Sequence, residues 1–129
     1  MSKPLDVTAI GNALVDVLAH ADDAFLAQRK IAKGSMNLID GPTAESLYAA
    51  MGPAVEVSGG SAANTVAGVA SLGGSAAFIG KVSKDQLGEI FRHDIRSIGV
   101  EFDGKPSTGK QPTGRCLVFV TPDAQRTMQ

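Results

Sequence analysis

The sequence predicts an α/β fold built on a largely parallel sheet. Two observations carry this reading. Short apolar runs suited to strands alternate with segments suited to helices. The run Leu117-Val118-Phe119-Val120 is continuously apolar, as expected of a strand buried on both faces. With 129 residues, 43% apolar and 19% charged, the chain has an ordinary composition for one globular domain and is long enough to bury a core.

Each element has a local reason. Residues 5–10 read as a buried strand ending at Gly11, and 15–19 as a second short extended piece. Residues 20–32 are polar and helical in tone, anchored by Phe25 and Leu26. Residues 35–39 alternate, which puts Met36 and Leu38 on one face of a half-buried strand. After Gly41-Pro42, Thr43 reads as the N-cap of a helix over 44–51 with Leu47 and Tyr48 inward. Gly52-Pro53 ends that helix, and 54–57 form a brief strand through Val55 and Val57. A small-residue helix over 62–72 stops at Gly73-Gly74, and 76–82 is the next strand.

Ser83-Lys84-Asp85-Gln86 has capping-box spacing. The helix behind it carries a stripe of Leu87, Ile90, Phe91, Ile95 and Ile98 and ends at Gly99. Residues 100–102 are extended, 103–112 form a loop expected to be mobile, and 115–121 form the clearest strand. The turn Pro122-Asp123-Ala124-Gln125 opens a last strand. No cap or polar tail follows, so the chain is expected to continue in a longer parent protein.

Composition excludes several functions. Formal net charge is −1, with one Tyr and no Trp, so neither a basic field nor stacking platforms point to nucleic acid. Cys116 is the sole cysteine, which rules out an intrachain disulfide or a Cys-based zinc site. It is read as a small core residue, and a reducing, cytoplasmic setting is expected. No signal-peptide pattern and no run of ~18 apolar residues is present. His20 and His93 lack partners at metal-ligand spacing.

The most informative stretch is Gly59-Gly60-Ser61-Ala62-Ala63-Asn64, continuing to Gly73-Gly74. Glycines let a ligand approach bare peptide N–H groups, and at a helix start those groups lack intrahelical partners. Asp16, within Gly11-Asn12-Ala13-Leu14-Val15-Asp16, is a carboxylate among apolar neighbours. It must be solvated, paired or used, and on this segment alone a turn-capping Asp is the simpler reading. Asn12 is equally a turn residue or a ligand-orienting one. Met36 and Leu38 are read as packing residues, with pocket lining as the alternative. Arg115 and Arg126 read as solvated edges rather than charge-steadying groups. Gly80-Lys81 lacks the Walker spacing, and no Gly-x-Gly-x-x-Gly follows the first strand.

The glycine run resembles the N-terminal motif of the ribokinase-like (PfkB) family of sugar and nucleoside kinases. The likeness extends from Val7 to Met128. It implies a ribokinase-like α/β fold, a mostly parallel sheet flanked by helices with a small β-lid, present here as the N-terminal part of one domain. Lid strands are expected near 15–19, 35–39, 54–57 and 115–121. The resemblance implies transfer of the ATP γ-phosphoryl group to a hydroxyl of a sugar or nucleoside. Asp16 would accept hydrogen bonds from two adjacent acceptor hydroxyls, Asn12 would orient the same corner, and Gly59, Gly60, Ser61 and Asn64 would contact the acceptor. Position 61 holds Lys in many ribokinases, and Ser61 tilts towards the nucleoside or broader sugar branches.

The segment Gly80–Gly88 resembles the family's Gly-x-x-Gly-x-Asp-x-x-Gly run, structural in role, with Ser83 in place of the second glycine. The family's later Asp-Thr-x-Gly-Ala-Gly-Asp run, which carries the catalytic base, is not found in this sequence. The ATP, Mg2+ and adenine sites of the family lie in that later half, so residues 1–129 are expected to be inactive alone. Residues 33–40 and 121–127 look like bacterial adenosine-kinase-like members, which favours adenosine or another ribonucleoside over a sugar. The alternatives are a non-catalytic sugar or nucleoside binder and a module that homodimerises through its lid strands.

Overall fold

The computed structural model describes residues 4–129. It divides into two compact units, one formed by residues up to Val15 with Val57–Arg115, the other by Asp16–Glu56 with Cys116–Gln129. The elements in chain order are β1 (Val7–Ile10), β2 (Leu14–His20), α1 (Asp23–Gln28), α2 (Gly41–Ala50), β3 (Ala54–Gly59), α3 (Ser61–Ser71), β4 (Ala76–Ile79), α4 (Gln86–Ser97), β5 (Val100–Glu101), β6 (Gly114–Val120) and β7 (Arg126–Met128). This is the α/β alternation expected, with a three-stranded parallel sheet flanked by helices and a second, four-stranded sheet.

The first unit is organised on a parallel sheet of order β1-β4-β5. Val7 pairs with Ala76 and Ile10 with Ile79, while Ala76 pairs with Val100. Side chains alternate across a pleated sheet, so Ala76, Phe78 and Val100 share one face, and all three are buried. Phe78, Phe91 of α4 and Phe102 close that face as a trio with ring centroids 5.4–5.8 Å apart. Offset and edge contacts of this kind add stability beyond area burial. The opposite face is bare, since Ile10 is 77% and Ile79 55% exposed. The expectation of a buried first strand is therefore corrected: β1 has an apolar sequence but three of its four residues are exposed.

Two helix starts also differ from the sequence reading. Asp40, not Thr43, caps α2 by accepting from the Thr43 N–H at 2.8 Å, and Pro42 lies in the first turn, where a missing N–H costs nothing. Asp85, not Ser83, caps α4 through the Gly88 N–H at 2.8 Å. The same carboxylate accepts from the Thr113 hydroxyl at 2.6 Å and the Thr113 N–H at 2.8 Å. A carboxylate satisfies more donors than a hydroxyl and suits the positive end of the helix, so Asp wins in both places. Ser83 instead donates to the Gln111 carbonyl.

The loop 103–112, expected to be mobile, is tied down. Ser107 donates to the Val82 carbonyl at 2.7 Å, Lys81 Nζ to the Lys105 carbonyl at 2.8 Å, and Arg92 to the Gly104 carbonyl.

The second unit holds a sheet of order β3-β2-β6-β7, with β6 and β7 antiparallel. Val17, Leu117, Val118 and Phe119 are buried, which agrees with the unbroken apolar run in β6. Phe25 of α1 packs on Phe119 with ring centroids 5.2 Å apart and the rings tilted by 41°. α1 is shorter than expected, six residues, because β2 continues to His20. The expected half-buried strand over 35–39 is corrected to a single bridge, Met36 to Met128. Met36 is 72% exposed and Leu38 fully so. Cys116, expected in the core, is half-buried. Lys33 ties this unit together through Asp23 at 2.8 Å and Asp123 at 2.6 Å.

Asp85→Ala removes a cap and the Thr113 anchor together and should destabilise the protein by about 2 kcal/mol in denaturant melts. The hydrogen bond from Lys33, helped by Thr121, holds the Asp123 carboxyl down at about 2, below its ordinary 3.8. A lowered carboxyl value contributes stability that is present above the ordinary value and lost as pH falls towards about 2. Melts between about pH 5 and pH 2 should therefore show a steeper loss in the parent than in Lys33→Met.

Candidate functional site

The sequence places helix α3 directly after a glycine pair, and the structure shows why. Gly60 is the N-cap of α3 with φ +100°, a backbone region that L side chains rarely adopt. A Cβ at Gly60 would lie 2.6 Å from the Asn12 carbonyl oxygen, so a larger residue is excluded by space as well as by conformation. Gly11 meets the same helix, since a Cβ there would be 2.7 Å from Ala62 Cβ. The β1 end and the α3 start are thus pressed together backbone to backbone.

This close approach leaves the start of α3 open. No side chain caps it. The Asn64 N–H donates to the Gly60 carbonyl at 2.8 Å, the first intrahelical bond. The N–H groups before it are free of helical partners, and the helix dipole adds partial positive charge there. Ser61 and Asn64 are exposed on that first turn, Gly60 is half-buried and Gly59 buried. Asn12 is exposed, and its carboxamide and that of Asn64 engage no other described residue.

Immediately beyond the C-terminal ends of β1 and β4 lies an open cleft of about 530 Å³. Its lining includes Gly11, Asn12 and Leu14 from the β1–β2 connection, Gly80 and Lys81 after β4, and Gly114. In open α/β sheets this end of parallel strands is where ligands bind. Asn12 belongs to both the cleft and the glycine corner. Gly59, Gly60, Ser61 and Asn64 do not line the cleft itself. Gly80, Lys81 and Gly114 were not expected as lining residues. Gly80-Lys81 stood out in the sequence as a failed phosphate loop and as the start of a run read as structural, and Gly114 carried no signal of its own.

Asp16 belongs to the second unit, on β2. It is half-buried, and burial raises its carboxyl above the ordinary 3.8. No hydrogen bond from another described residue offsets that burial. Cys116 on β6 lies in the same unit; burial raises its thiol, and the Asp16 charge raises it further. Among the described residues, no three His, Cys, Asp or Glu side chains gather as a metal ion would require. No helix among them is long and apolar enough to cross a membrane.

A parallel sheet flanked by helices, with a second, four-stranded sheet and a glycine-built corner at the strand ends, is a ribokinase-like α/β architecture. Residues 33–129 match the pfkB family carbohydrate kinase profile, and the chain belongs to that family. It is 61% identical to an adenosine kinase from Sinorhizobium meliloti over 96% of its length, with a TM-score of 0.85. A probable sugar kinase from Rhizobium etli matches equally well in shape, TM-score 0.85, at 54% identity over 96% of this chain. Among curated relatives, the probable chloroplastic fructokinase-6 of Arabidopsis thaliana is 36% identical over 66% of this chain. The chain spans 38% of each of the two solved structures and 22% of the fructokinase.

The glycine corner yields a paired test. Gly60→Ala should cost about 1–3 kcal/mol in chemical denaturation. Gly68→Ala, inside the same helix with open space around it, should stabilise by up to about 1 kcal/mol.

Proposed function

We propose that this chain carries the acceptor-binding part of an ATP-dependent kinase acting on a hydroxyl of a ribonucleoside, adenosine in the first instance. The observation that carries the reading is the corner at Gly60. Only a glycine fits there, the helix start beside it is uncapped, and its Asn12 neighbour opens on a cleft at the strand ends. The 61% identity to a chain named adenosine kinase supports the choice of acceptor.

The roles divide by chemistry. Asp16, ionised, accepts from two adjacent hydroxyls of the acceptor, each charge-assisted bond contributing roughly 1.5–3 kcal/mol. Gly60, Ser61 and the α3 N–H groups approach the acceptor with backbone, and Gly59 keeps the chain close behind them. Asn12 and Asn64 supply carboxamides that both donate and accept. An acceptor lacking the paired hydroxyls leaves the half-buried Asp16 without a partner and is rejected strongly.

The nucleotide half of the reaction does not fit these residues. No metal-ligand cluster is present among those described, and the sequence contains neither a Walker-type loop nor the Asp-Thr-x-Gly-Ala-Gly-Asp run. No step through ATP or Mg2+ is assigned to them, and residues 1–129 by themselves should bind acceptor without transferring phosphoryl. A second reading, a hexose acceptor, is favoured by the likeness to a fructokinase. A non-catalytic binder would use the same clamp. A reducing, cytoplasmic setting, as the single cysteine suggests, and a homodimer through the lid strands belong to this reading too, as proposals.

Thermal shift separates the acceptors. Adenosine at a hundredfold excess over its Kd should stabilise the chain by about 2.7 kcal/mol, and fructose should not. Asp16→Ala should abolish the adenosine shift, and an unchanged shift would refute the clamp. Affinity should fall as pH drops through the raised Asp16 value, at a higher pH than an ordinary Asp would give. Because burial raises that value with no partner to offset it, Asp16→Asn should leave the unliganded fold at least as stable at neutral pH.

A further inference from the structure

Helix α4 turns Leu87, Phe91 and Ile95 to the core, and all three are buried. The same helical period, seven residues after Leu87 and three after Phe91, falls on Asp94. An apolar residue is expected at such a position. A half-buried carboxylate stands there instead. Taking a charge out of water is costly unless good partners offset it. A local rule broken in this way points to something other than packing that the residue has to hold.

What Asp94 holds lies 36 residues away in sequence. Its Oδ2 accepts from the Ser58 N–H at 2.7 Å. Ser58 is the last residue of β3 but one, and β3 is an edge strand of its sheet. Edge strands carry N–H groups that no ladder satisfies, and a buried one needs a partner from elsewhere. Two residues after Ser58 comes Gly60, with φ +100° and no room for a Cβ against the Asn12 carbonyl. Gly60 in turn accepts the Asn64 N–H, the first bond of α3. Ser58, the glycine pair, α3 and Asp94 all belong to the first unit. The corner is thus held from two sides, by the Asn12 backbone and, through Ser58, by α4.

We propose that Asp94 is a positioning residue for the acceptor site: it fixes the exit of β3 and, with it, the Gly59-Gly60 turn and the start of α3. The proposal rests on the reading of that corner as the acceptor site. Asp94 itself touches no acceptor and acts through the Ser58 peptide. Such an anchor matters here because the corner offers peptide N–H groups. A side chain can rotate to meet a ligand, but a peptide group moves only with the chain. Misplacement by about 1 Å can cost on the order of a hundredfold.

Three variants of the chain test this by calorimetric titration with adenosine. Asp94→Ala removes the accepting oxygen and should raise the adenosine Kd at least tenfold. Asp94→Asn keeps one carbonyl oxygen for Ser58 and should stay within threefold of the parent. Ile95→Val loosens the core side of the same helix and lowers the unfolding midpoint, yet should leave Kd unchanged. Parental affinity in Asp94→Ala would overturn the proposal. An equal loss in Ile95→Val, or in Asp94→Asn, would do the same.

A parent chain that binds no adenosine would sink the acceptor reading, and amide hydrogen exchange then tests the anchor without ligand. Relative to Phe78, Asp94→Ala should speed exchange at least tenfold at Ser58 and at Asn64, the residue bonded to Gly60. Asp94→Asn should restore both amides. Faster exchange at Ser58 alone, or at neither, would show that Asp94 does not set the corner.

Discussion

The close approach of helix α3 to the end of strand β1 is the constraint on which the rest of the first unit depends. The helix begins where a Cβ at Gly60 would strike the Asn12 carbonyl and a Cβ at Gly11 would strike Ala62. Small residues at these points let two backbones meet without side chains between them. The consequence is chemical as well as architectural. Peptide N–H groups at a helix start are left without a capping side chain, next to a carboxamide and a cleft at the strand ends. Burying the Ala76, Phe78 and Val100 side of the sheet under the helices fixes this geometry and leaves the opposite side bare.

Much of this was legible in the sequence, for identifiable reasons. Periodicity found α4, whose stripe from Leu87 to Ile95 is a strong helical signal, and the continuous apolar run found β6. The glycine run announced the corner because a turn at positive φ and a close approach both demand glycine. Caps were misplaced because spacing alone does not rank candidates. Thr43 and Ser83 each lie near a helix start, but Asp40 and Asp85 accept the helical N–H groups. Asp85 also holds Thr113, a contact 28 residues away in sequence that no local pattern predicts.

Exposure was the least legible property. Residues 7–10 are apolar, and an apolar strand is read as buried; the structure leaves it at an edge with one face open. Residues 35–39 alternate as a half-buried strand should, but only Met36 bridges to Met128, and Leu38 stands in solvent. In both cases the sequence pattern records an affinity for apolar surroundings that the described residues do not provide. The same mismatch applies to Asp16, whose carboxyl is raised by burial and given no partner. Positions where local preference and surroundings disagree are where binding is to be sought.

The central claim is that the start of α3 and the Asn12 corner hold the hydroxyl-bearing part of a ribonucleoside. Titration of the 15N-labelled chain with adenosine, followed by amide chemical shifts, tests it most directly. Saturable shifts centred on Gly60, Ser61, Ala62, Ala63 and Asn64 that vanish with 2′,3′-dideoxyadenosine would bear it out. Shifts of equal size with the dideoxy analogue, or shifts confined to other parts of the chain, would contradict it.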